Sequence, residues 1–437
     1  MEMKTVNITR EEILEYHLGG KIGLRTIRQL NDLRSLCVAY TPGVATAVKE
    51  ISREPETVHK YTAKGNLVAV VTDGTAILGL GDLGPAASIP VMEGKAILFK
   101  AFGDVDGWPV PLDFCRMGGK TTGPTDPERI IDAVCKLAPM YGGINLEDIA
   151  APACFRVEDR LSELLDIPVF HDDQWGTAVI TLAAMINYCI VSERDISELR
   201  IVINGAGAAG IRIADTLKVY GAKTITLCDS KGVVRADRKD LNENKRKHAR
   251  ETSATTVGEA LRDAHVFVGV SVANCIKPAE VQAMASFPAI FAMSNPDPEI
   301  KPEAVAAAMG DKPYVVATGR SDYPNQINNV LGFPFLFRGA LDVRARTINM
   351  EMKLAAAKAL AAVARKLVGE DVKRFYPGAE LVFGKDYLIP KPFDRRLFVE
   401  VSGAVAEAAV TSGAAPATDL KHYRADLEKR NLARQAS

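Results

Sequence analysis

Residues 200–229 read RIVINGAGAAGIRIADTLKVYGAKTITLCD. The G-x-G-x-x-G pattern within this stretch is weak by itself, but here it follows the apolar run 201–203 and opens a helical pattern that ends before Gly221. A further apolar run then leads to Asp229, an acidic residue at the end of a second predicted strand. This order of strand, glycine turn, helix and strand predicts the dinucleotide-binding part of a doubly wound α/β domain.

Each part of this turn has a physical task. Gly205 permits the tight turn, Gly207 lets the backbone approach a pyrophosphate, and Gly210 lets the helix and strand pack closely. Asp229 can accept hydrogen bonds from ribose hydroxyls and repels a 2′-phosphate, which favours NAD. The neighbouring Ser230 and Lys231 could receive such a phosphate, so NADP stays possible. We therefore predict these cofactor-binding residues: Gly205, Ala206, Gly207, Ala208, Ala209, Gly210 and Asp229.

A second match to the pattern, at residues 79–84, lacks this context. It runs into Pro85, and no acidic strand end follows it. We expect a tight backbone turn there rather than a phosphate site.

The apolar runs along the chain predict the fold class and the domains. Short buried runs separated by helical stretches are typical of a parallel sheet with helices on both faces, and they recur at residues 201–203, 224–228, 266–270, 289–293 and 314–317. Thr125 and Glu128 predict a capping box at a helix start. We expect an α/β protein with a mixed α/β domain at residues 1–161, a doubly wound parallel-sheet (Rossmann-type) domain at 162–396 and a helical C-terminal tail at 397–437.

The composition narrows the class of protein. The 437 residues include 54 basic and 54 acidic side chains, so no basic excess indicates a nucleic-acid or membrane-surface partner. The seven cysteines form no CxxC pair, which favours a reducing compartment. The charged N-terminus has no signal-peptide pattern. The sequence contains no run of about twenty apolar residues, so we expect no membrane span. We expect a cytoplasmic protein.

Two acidic pairs follow apolar stretches, Glu147-Asp148 after residues 142–146 and Asp172-Asp173 after residues 167–170, with His171 between. Carboxylates brought together repel one another unless a hard divalent cation such as Mg²⁺ or Mn²⁺ lies between them. The alternative is that each pair is a solvated helix start. From spacing alone, both interpretations stay open, and His171 is expected to be a packing neighbour.

Two other segments combine a reactive side chain with apolar surroundings. Tyr40 enters a Pro-Gly turn, and Lys95 precedes the apolar run 96–99. Desolvation would lower the pKa of such a lysine towards that of a useful base. From composition alone, both residues would be taken for ordinary structural positions.

Together these segments resemble the malic enzymes, particularly the compact bacterial form. The resemblance runs from about residue 19 to residue 410 in family order. It rests on the dinucleotide turn and on these stretches: YTPGVA (40–45), VMEGK (91–95), INLEDI (144–149), FHDDQ (170–174), GTA (176–178), MSNP (293–296) and PNQINNV (324–330).

The resemblance implies an activity and a role for each matching residue. It implies oxidative decarboxylation of (S)-malate to pyruvate and CO₂ with reduction of NAD(P)⁺, in a homodimer or larger homo-oligomer. Lys95 would be the general base on the C2 hydroxyl, Tyr40 the acid that protonates C3, and Asp172 a proton-relay carboxylate. The implied metal ligands are Glu147, Asp148 and Asp173, and the implied substrate and nicotinamide contacts are Asn295, Asn328 and Asn329.

The sequence departs from the family pattern at a few positions. Trp175 stands where the bacterial pattern has His, and Phe335 follows Pro334 where Gly is usual. The Thr75-Ala76 turn lacks the arginine that larger forms use on the substrate carboxylate, so other groups must bind that carboxylate. The end at Ser437 leads us to expect no acetyltransferase-like extension.

Two alternative activities remain open. A malolactic-type enzyme would retain its NAD and release lactate, and it would consume malate with little net reduced cofactor. A metal-independent amino-acid dehydrogenase would have no use for the acidic cluster. A sensor without catalysis would need neither Tyr40 nor Lys95.

Overall fold

The computed structural model describes residues 8–77, 80–320 and 322–436. The turn expected at residues 79–84 lies partly outside these residues. The first sheet has four parallel strands in the order β2-β1-β3-β4. Its strands are almost wholly buried except β2, because helices cover both faces of the sheet. They are β1 (Leu67–Thr72), β2 (Asp106–Pro111), β3 (Gly143–Leu146) and β4 (Val169–His171).

Seven helices accompany the first sheet in the described part of the chain. The start of the sixth differs from the predicted capping box, because Asp126 rather than Thr125 caps it and accepts the N–H of Glu128. The Thr125 hydroxyl instead donates to Asp73. The helices are α1 (Arg10–His17), α2 (Leu33–Ala39), α3 (Val44–Arg53), α4 (Val58–Tyr61), α5 (Pro85–Gly103), α6 (Pro127–Leu137) and α7 (Ala153–Leu164).

The second sheet has six strands in the order β10-β9-β8-β5-β6-β7, parallel except for the short β7. It confirms the predicted doubly wound sheet, since each predicted run forms a strand. The strands are β5 (Arg200–Asn204), β6 (Thr224–Asp229), β7 (Gly232–Val233), β8 (Val266–Gly269), β9 (Ala289–Ala292) and β10 (Val315–Thr318).

The remaining helices pack around this sheet and join it to the first one. Buried side chains from both sheets and from the C-terminal helices form one continuous core. The helices are α8 (Thr177–Ser192), α9 (Ala208–Tyr220), α10 (Glu243–Arg246), α11 (Val257–Leu261), α12 (Pro278–Gln282), α13 (Pro302–Met309), α14 (Phe333–Asp342), α15 (Met350–Ala364), α16 (Glu370–Lys373), α17 (Arg396–Thr411) and α18 (Tyr423–Ala436).

One segment of the described chain, Asp172–Ser192, is long and apolar enough to cross a membrane by length and composition. It consists of a π-helical turn at Asp172–Gly176 followed by α8. About 67% of its apolar window is buried inside the protein, where α8 contacts α9 and α15. Such burial is typical of the core helix of a folded domain.

The N-terminal helices contrast with this core. None of α1, α2, α3 or α4 contains a buried residue. Large exposed apolar side chains are more frequent between residues 8 and 61 than in the rest of the described chain. We call this the N-terminal apolar surface, and it includes Leu18, Leu24, Ile27, Leu30, Leu33, Val38, Tyr40 and Val48.

Candidate active site

The acidic side chains follow two neighbouring strands. Glu147 and Asp148 come directly after β3, and Asp172 and Asp173 come directly after β4. Because β3 and β4 are parallel and hydrogen-bonded to each other, their carboxyl ends meet at the same edge of the sheet. The pairs that are far apart in sequence therefore lie side by side. Asp148 adopts a left-handed backbone conformation (φ 53°) at this edge.

Three of these carboxylates form a compact cluster. Glu147, Asp148 and Asp173 each offer an oxygen within 4.8 Å of the others. Glu147 and Asp148 are buried, and Asp173 lies partly open to the cavity. Burial raises the pKa of Asp173 to about 6, although the positive charge of Lys95 lowers it. Burial also raises the pKa of Glu147. Carboxylates that face each other in this way fit the oxygen donor set that Mg²⁺ or Mn²⁺ takes.

The cluster lies in a cavity of about 740 Å³, a usual size for a small-molecule site. The cavity is bounded on one side by α5 and on the other by the ends of β8 and β9. Among its lining residues are eight of the predicted site residues: Lys95, Glu147, Asp148, Asp173, Ala209, Asn295, Asn328 and Asn329.

Lys95 projects from α5 into this cavity. Its Nζ lies 2.6 Å from Asp172 Oδ2, 2.9 Å from Glu147 Oε1 and 4.4 Å from the ring centre of Phe333. Burial lowers the pKa of Lys95, but the carboxylates of Asp172 and Glu147 outweigh burial and raise it above its ordinary value. The expectation of a lowered pKa is wrong for this arrangement, because two ion pairs form where the sequence indicated only an apolar neighbourhood.

The buried Asp172 connects the lysine to Asn329, and backbone carbonyls hold the other two asparagines. The Asn329 amide donates to Asp172 Oδ2 (3.0 Å), and the Thr177 hydroxyl donates to Asn329 Oδ1 (3.2 Å). Asn328 donates to the Gly319 carbonyl (3.3 Å) and Asn295 to the Met293 carbonyl (3.4 Å). The asparagines are thus oriented by the protein while their side chains line the cavity.

His171 is the buried neighbour that the sequence indicated. Neither ring nitrogen has a hydrogen-bond partner among the described residues. Burial lowers the pKa of His171 to about 3, so the ring is neutral near pH 7. Its Nδ1 lies 3.9 Å from Asp173 Oδ2, beyond hydrogen-bond distance.

The glycine turn between β5 and α9 has the predicted geometry. Gly205 has φ 122°, and a Cβ there would meet the Val270 carbonyl oxygen at 2.4 Å. A Cβ on Gly210 would lie 1.9 Å from the Gly205 carbonyl oxygen, so strand and helix could not approach as they do. The residue between them, Gly207, faces open space at the start of α9. The helix start is therefore free to receive a phosphate group.

Asp229 stands at the end of β6, but its carboxylate is already engaged. Arg238 binds both oxygens at 2.8 and 3.0 Å, and Lys245 Nζ lies 2.7 Å from Oδ2. Burial raises the pKa of Asp229, but these hydrogen bonds outweigh it and lower the pKa to about 2. Arg238 and Lys245 were not predicted from the sequence, because they follow Asp229 at irregular spacing.

Tyr40 is the predicted site residue that does not join the others. It follows α2 on the N-terminal apolar surface, 68% of it is exposed, and it is absent from the cavity lining.

Other residues of the site carry no local signal in the sequence. His17 and Lys21 reach the cavity lining from the N-terminal segment. Glu299 is fully buried and accepts the N–H groups of Ser271 (2.9 Å) and Ser294 (3.0 Å), which line the cavity from the ends of β8 and β9.

Comparison with family models gives two matches. Residues 20–162 match the model of the malic enzyme N-terminal domain, and residues 175–382 match that of the malic enzyme NAD binding domain.

Individual proteins agree with these matches. An NADP-dependent malic enzyme of Rhizobium meliloti is 49% identical over 97% of this chain and 55% of its own length. An NAD-dependent malic enzyme of the same organism is 46% identical over 95% of this chain and 53% of its own length. The chain thus spans about half the length of these curated relatives. The crystal structure of malic enzyme from Pyrococcus horikoshii Ot3 superposes with a TM-score of 0.84 at 40% identity, covering 97% of this chain and 95% of that one.

Proposed function

This chain belongs to the malic enzyme family, and on that premise we propose that it oxidises and decarboxylates (S)-malate to pyruvate and CO₂ while reducing NAD(P)⁺, with a divalent metal. The observation that carries the proposal is the convergence of Lys95, the acidic cluster and three asparagines in one cavity. Neither a malolactic enzyme nor an amino-acid dehydrogenase is favoured by the comparisons.

Lys95 is proposed as the base that takes the C2 hydroxyl proton, with Asp172 as its relay. A proton received by Nζ has a direct path to Asp172 Oδ2 at 2.6 Å. The ion pairs with Asp172 and Glu147 favour the protonated lysine. Lys95 can therefore accept a proton only when the Glu147 carboxylate pairs with another cation instead of the lysine.

Glu147, Asp148 and Asp173 would hold that cation. The mutual distances of the three carboxylates and the raised pKa values of Glu147 and Asp173 support this assignment, because a cation between the carboxylates relieves the repulsion between their charges. When bound, a divalent metal supplies a Lewis acid for the substrate oxygens. Asn295, Asn328 and Asn329 are proposed to orient the substrate and the nicotinamide.

The turn at Gly205, Ala206, Gly207, Ala208, Ala209 and Gly210 is proposed to bind the dinucleotide pyrophosphate. The expectation of NAD rested on repulsion between Asp229 and a 2′-phosphate. Two cations engage that carboxylate, which weakens the repulsion and offers partners for a phosphate. We therefore propose that both NAD and NADP are accepted.

A homodimer is proposed in which Tyr40 serves the partner's cavity. Tyr40 lies outside the cavity of its own chain, and the N-terminal apolar surface around it is large for a protein that remains a monomer. A two-fold axis through this surface would bury it on both chains and would exchange the two tyrosines. The acid that protonates C3 would then come from the second subunit.

The domain boundaries and the location remain proposals. We propose that residues 1–161 carry the substrate part, 162–396 the dinucleotide part and 397–437 the tail, with β4 joining the first two as the last strand of the first sheet. The seven cysteines are free, which supports a cytoplasmic location.

A malate assay with NAD or NADP, with and without EDTA, tests the proposed function. We expect the reduced-nicotinamide absorbance to grow with malate, to stop with EDTA and to return with added Mn²⁺. Malate loss without net cofactor reduction would favour the malolactic alternative. Activity that resists exhaustive chelation would contradict the metal assignment.

A further inference from the structure

Lys21 reaches the cavity from outside the sheet and helix that hold the acidic cluster. Its ammonium lies against α5, where Nζ contacts the Pro90 carbonyl oxygen (2.7 Å) and would be 3.4 Å from a Cβ on Gly94. The cavity-lining residues of this helix lie on one face: Pro90, Val91, Gly94, Lys95 and Leu98. The ammonium therefore lies over the same helix face from which Lys95 projects.

The position of Lys21 is held by several contacts. Its backbone N–H donates to Glu93 Oε2 (3.0 Å), and its Nζ donates to His17 Nε2 (3.0 Å). His17 can accept this bond because its Nδ1 donates to the Ile13 carbonyl (2.7 Å), which requires one neutral tautomer. Two of the three ammonium N–H groups are thus used on neutral acceptors, and one is left for a ligand.

Lys21 differs in charge balance from the other lysine of the cavity. Lys95 forms ion pairs with two carboxylates, whereas no carboxylate among the described residues forms an ion pair with the Lys21 ammonium. Burial lowers the pKa of Lys21, while the charge of Glu93 acts in the opposite direction. A dianionic substrate that enters a cavity rich in carboxylates needs such an uncompensated cation.

We propose, on the basis of the function proposed above, that Lys21 is a substrate-binding residue whose ammonium holds a carboxylate of the hydroxy acid. The carboxylate that leaves as CO₂ must lose its negative charge, so a cation bound to it would stabilise the ground state more than the transition state. Lys21 therefore binds the carboxylate that remains in the product. Ala76, which also lines the cavity, offers no charge for this task.

Calorimetric titration of malate and of pyruvate into the full chain with Mn²⁺, and without dinucleotide so that no turnover occurs, tests this assignment. Lys21→Met removes the charge and keeps much of the side-chain volume. We expect this substitution to lower the affinity for both malate and pyruvate by about tenfold or more, because a charge-assisted hydrogen bond is lost. Lys21→Arg should restore most of the affinity. In turnover, the KM for malate should rise more than kcat falls.

Lys136→Met is the matched control, because Lys136 is an exposed lysine on α6 that forms an ion pair with Asp132. Dinucleotide affinity, followed by fluorescence, should remain at the wild-type value in all three variants and shows that they are folded. Unchanged affinity of Lys21→Met for both ligands would overturn the assignment. A loss for malate alone would also overturn it, since Lys21 would then contact the leaving carboxylate. If the wild-type protein binds neither ligand, the proposed function fails before Lys21 is tested.

Discussion

The ammonium of Lys95 lies between two carboxylates with different neighbours. Glu147 belongs to the acidic cluster and in the proposed function would exchange the lysine for a metal, whereas Asp172 is buried and held by Asn329. The charge on Lys95 therefore depends on which partner Glu147 has. Removing one member of such a buried network leaves uncompensated charges behind, so single variants have large effects.

Lys95→Ala should lower turnover with malate by about a hundredfold or more, because no other described amine in the cavity contacts Asp172. Dinucleotide affinity should survive, since the glycine turn belongs to the other sheet. Steady-state kinetics and fluorescence titration measure the two effects. Lys100→Ala, an exposed position on the same helix, is the control. Substantial residual turnover in Lys95→Ala would reject the role of base.

Asp173→Ala should raise the Mn²⁺ concentration for half-maximal activity by about tenfold or more, because the cluster loses one of three oxygen donors. A metal titration of EDTA-treated protein gives this value. Asp132→Ala, an exposed acid on α6, should leave it unchanged. A titration curve for Asp173→Ala that coincides with the wild-type curve would count against the metal site.

Arg238→Ala should lower kcat/KM for NADP about tenfold more than for NAD, because Arg238 offers a bidentate partner to a 2′-phosphate and also offsets Asp229. The ratio of the two specificity constants is the readout. Arg262→Ala, an exposed position on the same domain, is the control. An equal loss with both cofactors would show that Arg238 acts only on the fold of the turn.

Among the elements, the π-helical turn Asp172–Gly176 links the two sheets. It continues β4 of the first sheet, and its Gln174 accepts a hydrogen bond from Arg212 of the dinucleotide-binding helix α9 (2.9 Å). Trp175 of the same turn lies between Arg212 and Lys353, with ring distances of 4.6 and 3.5 Å. The turn that carries Asp172 and Asp173 is thereby fixed against the helix that begins at the glycine turn.

A buried lysine holds the loop that leads to Asn328 and Asn329. The buried Lys391 donates to the carbonyls of Tyr323 (3.4 Å) and Pro324 (2.6 Å), and burial lowers its pKa to about 8. The unfolded chain, with an ordinary pKa near 10.4, binds more protons than the folded chain between about pH 8 and 10. The free energy of unfolding should therefore increase with pH across this window.

The comparison with Lys391→Met isolates this contribution. Urea unfolding at pH 7.5 to 10 should show the stability of the wild-type protein rising relative to the variant, by at most a few kcal/mol. Lys385→Met, an exposed lysine six residues away, should show no relative change. A parallel pH dependence of wild type and Lys391→Met would contradict the buried, destabilised ammonium.

At the scale of the whole molecule, one core joins the two sheets, yet the N-terminal helices contribute nothing buried to it. The helical tail behaves in the opposite way, because α17 is buried against α14 and α15. The exposure of the N-terminal apolar surface supports the proposed homodimer, because a partner surface would bury these apolar side chains.

Mixing two inactive variants tests the shared site. In the proposed homodimer, Tyr40→Phe and Lys95→Ala would each disable both sites. If the tyrosine serves the partner's cavity, a mixed dimer contains one intact site of two, and co-refolded variants should recover roughly a quarter of the wild-type activity. Each variant refolded alone is the control. If both residues act within one chain, the mixture stays inactive.

Much of this protein followed from its sequence because the relevant signals are local. The alternation of buried runs and helices, and the strand-turn-helix at residues 200–229, predicted the second sheet because hydrophobic periodicity and glycine geometry act over a few residues. The acidic pairs were recognisable as candidates because each follows a buried run. Spacing alone, however, did not distinguish metal binding from solvated helix starts.

Only the tertiary structure decided which residues meet. The pairing of β3 with β4 put Glu147 beside Asp173. The packing of α5 gave Lys95 two carboxylate partners, which reversed its expected pKa shift. Arg238 and Lys245 formed ion pairs with Asp229. It also separated Tyr40 from the cavity and brought Lys21 to it. Electrostatic energies depend on distances and burial across the whole fold, and residues remote in sequence set both.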